Sequence, residues 1–381
     1  MTSKIKLLLI LLIFALNSVF PEKAAGGAGS TSFEFLLLPV GARETAIAAG
    51  SAIALNPNAF WWNPAGLAYV ERTNIDLTYN RHFEGIAQQR GGFTFPLQNC
   101  QVAAVNATML SVNGIEGYGW FNTPSGDVVS KGYTISYSQA KVFNRYLAGG
   151  LSLKGVFEQL EEESSYGAAL DAGFLINPYP DFQLSGGVKN AGIAGEFIEE
   201  KGILPISFFG GLGMKLNRYI LFAGEINYIN DEISFGAGVE FNLWNLLFIR
   251  GGYSNFAGET ADFSLGGGWS FKDIALDYTM APYKKLGPTH RVDLNFKFGE
   301  PILIEKLYRN AKKYYSRQEY RKALVEFNKV KSLNRHYKQV ESWLQQLEEK
   351  EIFTESAPDA EKTREPSPEE NLLNSEEPAE E

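Results

Sequence analysis

From residue 74 to residue 298 bulky apolar residues return at every second position, and that period restricts the region to strands with two unlike faces. In RVDLNFKF, residues 291 to 298, Val292, Leu294, Phe296 and Phe298 share one face while Asp293, Asn295 and Lys297 share the other. In ISFGAGVEFN, Ile233, Phe235, Ala237, Val239 and Phe241 alternate with Ser234, Gly236, Gly238, Glu240 and Asn242. DFSLGGGWSF sets Phe263, Leu265 and Trp269 against Ser264, Gly266, Gly268 and Ser270. A soluble sandwich also alternates, but its polar face meets water and seldom needs so much glycine. A barrel in lipid turns bulky residues to the membrane and small or polar ones to the lumen. The expected fold is therefore an all-β transmembrane barrel of about 14 antiparallel strands, each about ten residues long. Asn177-Pro178, Asn217, Asn230-Asp231 and Gly258 read as turns between them. Tyr228, Trp244, Tyr253, Trp269 and Tyr278 fall near strand ends and suit interfacial girdles.

The flanks have a different character. Lys4 and Lys6 precede an apolar run from Leu7 to Leu16, with Ala24, Ala25 and Gly26 after it, so residues 1–25 read as a secretory signal peptide. That run is too short to span a bilayer as a helix. The chain holds 38 glycines and none follows Gly299, which marks a boundary at the end of the strand region, 74–299. A helical pattern occupies 301–353. From Thr354 to Glu381 the tail carries ten acidic and two basic residues, a net of −8 against −9 for the whole chain. Rich in proline and poor in bulky apolar residues, the tail is expected to be disordered.

A barrel of this size is too wide for its own side chains to fill. The segment 26–73 is the natural filler, and it reads as a hatch or plug. Its stretch from Ala42 to Leu55 is expected to be helical. Asn56-Pro57 and Asn63-Pro64 each pair a capping residue with a proline suited to a first helical position. Gly66 then permits a tight exit. Phe60, Trp61, Trp62, Asn63, Pro64, Ala65 and Gly66 are the candidate plug residues.

These residues carry a resemblance. LPVGARETAIAAGSAIALNPNAFWWNPAGLA, above all Gly-Ala-Arg at 41–43 and Asn-Pro-Ala-Gly-Leu-Ala at 63–68, together with the strands that follow, resembles the PorV/PorQ family of FadL-like outer-membrane barrels. GGVKNAGIAG, residues 186–195, resembles that family's mid-barrel Asn-X-Gly segment. The resemblance spans residues 28–299. It implies a 14-stranded barrel with an inward-folded N-terminal hatch, in the outer membrane of a diderm bacterium. FadL-like members admit hydrophobic small molecules past the hatch, whereas PorV-like members bind exported proteins in type IX secretion. Ala-Phe-Trp-Trp before Asn63 departs from the family's usual small residues.

Val292, Leu294, Phe296 and Phe298 have the pattern by which outer-membrane assembly machinery recognises a final strand. Beyond Pro301, residues 305–334 resemble one tetratricopeptide repeat. Leu307, Ala311 and Tyr314 fit its first helix, and Tyr320, Ala323 and Phe327 its second. A further helix from Tyr337 to Phe353 would cap the pair through Val340, Trp343, Leu344 and Leu347. Fewer than three repeats seldom stand alone, so this module is expected to pack in the periplasm on the barrel's mouth or on a protein partner.

Nothing in the chain points to catalysis or to a metal or other cofactor. His82, His290 and His336 are far apart in sequence, Cys100 is alone, and no Cys or His cluster has ligand spacing. Glu161, Glu162 and Glu163 read as a solvated loop. The basic residues Lys306, Arg309, Lys312 and Lys313 read as a solvated helix face, and nucleic-acid binding is not expected. The expected partners are outer-membrane lipid, the assembly machinery, a hydrophobic ligand or a protein.

Overall fold

A computed structural model describes residues 31–83, 85–97, 101–114, 116–118, 124–128, 130–197, 200–255, 263–283, 287–299, 303–333 and 337–355. The signal segment, Cys100, Gly258 and His336 lie outside these residues, as does the acidic tail beyond Glu355. The chain divides into two compact units, before and after Ile302. No helix among the described residues is long and apolar enough to cross a membrane.

The first unit is a closed barrel of 14 antiparallel strands. In chain order the strands are β1 Thr73–Arg81, β2 Ile86–Leu97, β3 Gln101–Val112, β4 Glu116–Tyr118, β5 Pro124–Asp127, β6 Ser130–Val142, β7 Leu147–Leu160, β8 Glu163–Tyr179, β9 Phe182–Ala194, β10 Glu196–Phe197, β11 Glu200–Lys201, β12 Ser207–Lys215, β13 Ile220–Ile229, β14 Glu232–Leu243, β15 Leu247–Ser254, β16 Phe263–Phe271, β17 Ile274–Tyr283 and β18 Gly287–Phe298. The pairs β4–β5 and β10–β11 are small separate hairpins, and the others form the wall. Closure joins β1 to β18, with Thr73 opposite Phe298 and Arg81 opposite His290. The end holding Thr73 and Phe298 is the terminus end, and the other is the loop end.

The wall is inside-out relative to a soluble protein. Leu77, Ile135, Leu153, Ile226 and Leu265 point outward and are exposed, whereas Asp76, Arg90, Lys154, Asp171 and Arg291 point inward and are buried. Lipid is the solvent that makes such a wall stable, because barrel closure leaves no backbone edge unpaired. On β18, Val292 and Phe298 are exposed on the outer face beside half-buried Leu294 and Phe296. Aromatic pairs follow the register on this face at the loop end, among them Phe157–Tyr166 and Tyr253–Phe263.

Turns depart from expectation at one site. Asn177-Pro178 lies inside β8, where the pairing with β9 slips between Ile176 and Tyr179, so an irregularity absorbs the proline. Asn217 does cap a turn, accepting from Tyr219 and Ile220 N–H. Asn230 and Asp231 both take positive φ, the combination that a two-residue hairpin demands.

The second unit comprises α-helices Leu303–Ser316, Tyr320–Leu333 and Val340–Glu355, the last running two residues beyond the expected end at Phe353. Ala311, Ala323 and Phe327 are fully buried between the first two, while Leu307, Tyr314 and Tyr320 are only half-buried. Tyr308, which the repeat pattern passes over, is 6% exposed and packs edge-on to Phe327. Val340, Leu344 and Leu347 are buried, and Trp343 stacks on Phe327 at 5.7 Å.

Candidate functional site: the N-terminal segment inside the wall

Residues 31–72 lie within the barrel, and their local structure follows from what the wall offers. A helix forms over Ala42–Ile47, here α1, but stops well short of Leu55. Ala48 adopts a left-handed backbone, and the Gly50 and Ser51 N–H groups turn to the Glu225 carboxylate at 2.8 and 2.7 Å. Six residues of helix thus give way to a wall carboxylate that satisfies the freed donors. Asn56 is not a helix cap: its side chain accepts from Asn58 N–H and closes a turn before the short helix Ala59–Trp62, here α2. Asn63 caps the 3-10 helix Pro64–Tyr69 through Ala65 N–H, with Pro64 at its first position. Its amide also donates to Ser51 and Phe174 carbonyls, both at 3.0 Å. Gly66 is not the exit. It sits inside that 3-10 helix, where a Cβ would meet the Ala54 carbonyl oxygen at 2.0 Å.

Wall glycines admit the segment's backbone. At Gly236 a Cβ would fall 1.8 Å from the Ala48 carbonyl oxygen, and at Gly150 it would fall 2.4 Å from the Pro64 carbonyl carbon. The glycine-rich inner face is therefore a contact surface for the segment.

Phe60, Trp61 and Trp62 are 0%, 4% and 5% exposed. At about 150–250 Å² each, their burial is a large share of what holds the segment in place. Each lies under a different cation of the wall. The Arg90 guanidinium is 5.1 Å from the Phe60 ring, Lys154 Nζ 5.0 Å from Trp61, and Lys189 Nζ 5.8 Å from Trp62 and 5.5 Å from Phe209. The ring quadrupole attracts a cation in each case. Trp62 also donates through its indole N–H to the Val40 carbonyl at 2.7 Å.

Counter-charges complete the arrangement. Arg90 pairs with Asp76 and donates to Asn58 Oδ1 at 2.7 Å. Asn58 in turn donates to Glu44 at 2.9 Å and to Asp293 at 3.1 Å, and Asp293 accepts from Ala42 N–H. Lys154 pairs with Asp171 at 2.6 Å and donates to Asn190 at 3.0 Å. Glu240 receives Arg43 of the segment through two hydrogen bonds and Arg250 of the wall through a third. Lys189 differs: among the described residues it has no ion pair within 4.0 Å.

Positive φ at Asn190, beside a register slip in the β8–β9 pairing, accompanies the placement of Lys189 over the Trp62 ring. Asn190 N–H then donates to Asp171. The segment GGVKNAGIAG thus supplies a bulge at this site. Sequence reasoning located the aromatics, set Arg43 in the Gly-Ala-Arg element and Glu240 on the polar strand face, but did not single out Asn58, Arg90, Lys154 or Lys189. For Arg90, Lys154 and Lys189 the one signal was parity, a charged residue at a lumen-facing position of an alternating strand, and Asn58, in a turn of the segment, had none.

The sequence matches no family model and no curated protein. Solved structures do match. The toluene transporter TbuX of Ralstonia pickettii aligns over 70% of this chain and 100% of its own at TM-score 0.55 and 13% identity. The closed 14-stranded fold is shared with that transporter. The monoaromatic hydrocarbon channel CymD aligns over 69% and 99% at TM-score 0.55 and 12% identity, and a deltaS2 mutant of the channel TodX over 68% and 99% at 0.51 and 11%.

Proposed function

We propose that this chain is a FadL-like outer-membrane channel, and not an enzyme, through which hydrophobic small molecules pass passively when the N-terminal segment moves. The observation that carries the reading is the union of an apolar outer belt with a lumen whose filling segment is held by Phe60, Trp61 and Trp62 against Arg90, Lys154 and Lys189. Segment 26–73 then acts as the hatch. Its contacts are discrete, so a shift exchanges one set of ring and carboxylate contacts for another without touching the wall's backbone ladder. The named hydrocarbon channels supply the substrate class to try first. The terminus end would face the periplasm with the helical unit, and Val292, Leu294, Phe296 and Phe298 would serve the assembly machinery.

Replacing Trp61 and Trp62 together by alanine is expected to loosen the hatch and raise toluene entry into vesicles containing the full-length protein. Unchanged entry in a folded, heat-modifiable double variant would refute the hatch role. A second reading, that of a PorV-like component of a type IX-like secretion system, is favoured by the separate helical unit, which hydrocarbon passage does not require. Deleting residues 301–381 should leave toluene entry intact in the first case and abolish capture of a protein partner in the second.

A further inference from the structure

The wall at the β1–β18 seam carries a two-part depression on its outer side. At the loop end a polar cleft of about 530 Å³ is lined by Tyr79, Arg81, His82, Phe83, Pro288 and His290. Arg81 and His290 face each other across the closing strand pair, which sets their Cβ atoms about 5 Å apart. Arg81 has no hydrogen bond or ion pair among the described residues. His82 is 5% exposed, and its Nε2 is buried without a partner. On the lumen side Arg291 is fully buried and donates to Thr289 Oγ1 at 3.1 Å, with Nε and Nη2 unpartnered among the described residues.

Directly beneath, and sharing Tyr79, an apolar trough of about 640 Å³ runs down the outer face. Leu77, Ile135, Val292 and Leu294 wall it, and Gly91 and Ala107 leave its floor low. A Cβ on Gly91 would meet nothing nearer than Leu77 Cδ2 at 3.8 Å, so wall packing does not require glycine there. Tyr79, and Tyr278 hydrogen-bonded to His290, place the cleft at the aromatic girdle, where the membrane's polar layer begins. Arg81, exposed beside His290, and the buried, unpartnered Nε2 of His82 call for an anion, and the trough calls for a hydrocarbon chain attached to it.

We propose that this depression holds one phosphorylated lipid, its phosphate between Arg81, His82 and His290 and an acyl chain in the trough below. A free phosphate would satisfy the cleft and leave the trough unused. No residue of the N-terminal segment lines the site, and of the three cations that face Phe60, Trp61 and Trp62 only Arg90 reaches the trough.

The test is native mass spectrometry of the full-length protein in mild detergent, titrated with phosphatidic acid, with diacylglycerol of the same chains, and with inorganic phosphate as competitor. One phosphatidic acid should be retained, with diacylglycerol at least tenfold weaker. Arg81→Ala combined with His290→Ala, and separately Ala107→Phe to fill the trough, should each weaken retention at least tenfold, while Arg145→Ala at the terminus end should not. Equal retention of diacylglycerol, equal retention by both variants, or full displacement by equimolar inorganic phosphate would each overturn the proposal. Heat-modifiable migration of every variant separates loss of the lipid from loss of the fold.

Discussion

The barrel and the helical unit invert one another's polarity within one chain. In the barrel the outward side chains are Leu, Ile and Phe, and the interior holds Arg, Lys, Asp and Glu in ion pairs. In the helical unit Tyr308, Ala311, Phe327 and Leu347 are inside, and the charged pairs Lys322–Glu319 and Lys329–Glu326 are on the surface. The difference teaches that burial is not a measure of apolarity. What counts is which solvent each face meets, lipid for one unit and water for the other.

Predictions that break this comparison begin with the largest effect. Phe327→Ala removes the ring that packs against both Tyr308 and Trp343, at a cost of about 3–5 kcal/mol. That should unfold the small helical unit, seen as new proteolytic cleavage between residues 303 and 355, while the barrel keeps its heat-modifiable migration. Glu240→Ala leaves Arg43 and Arg250 facing each other without the shared carboxylate and should cost the barrel about 3–5 kcal/mol, read as a lower urea midpoint. The corresponding change on the helical surface, Glu319→Ala, should leave the unfolding of its unit unaltered, because that pair is in water.

A sharper contrast comes from two exposed aliphatic residues. Ile135 on the barrel is 67% exposed and Val325 on the second helix of the helical unit 53%. Ile135→Arg should cost about 2–4 kcal/mol in a bilayer, whereas Val325→Arg should stay within about 0.5 kcal/mol. Similar costs at the two sites would mean that the barrel's outer face does not meet lipid.

The barrel's stability should also depend on pH. His82 lies just beyond β1, where burial first and then the Arg291 charge hold its pKa down at about 3 against an ordinary 6.5. Between these values the unfolded chain takes up a proton that the folded chain refuses. Stability therefore falls as pH falls from 6.5 towards 3, by up to about 1.4 kcal/mol per unit, and the loss levels off below 3. Above 6.5 the residue contributes no slope. Unfolding midpoints at pH 6.5 and 5, where most carboxylates stay charged, should differ less in His82→Gln than in the wild type. An identical slope would show that His82 takes up its proton normally in the folded barrel.

Much of this architecture can be read without coordinates because it is periodic. The alternation in RVDLNFKF assigns Val292 outward and Asp293 inward whichever strand lies alongside, and Asn63-Pro64 carries its own cap wherever it is placed. The helix expected over Ala42–Leu55 shows the limit. Its composition permits helix throughout, yet Glu225, far away in sequence, draws off the Gly50 and Ser51 donors and ends it. The repeat pattern likewise marks Ala311, Ala323 and Phe327 but not Tyr308, whose burial depends on the third helix and the Tyr337 ring.

By itself, then, the sequence determined a two-faced strand region of about 14 strands, an aromatic N-terminal segment to lie inside it, and a helical appendage, since each depends on spacing along the chain. Only the tertiary structure decided that Arg90, Lys154 and Lys189 each stand over a different ring of Phe60-Trp61-Trp62, and that Arg81 meets His290 at the seam. Those pairings depend on the register of barrel closure and on one bulge at Asn190, and a single-residue slip in either would turn the same side chains to the opposite face.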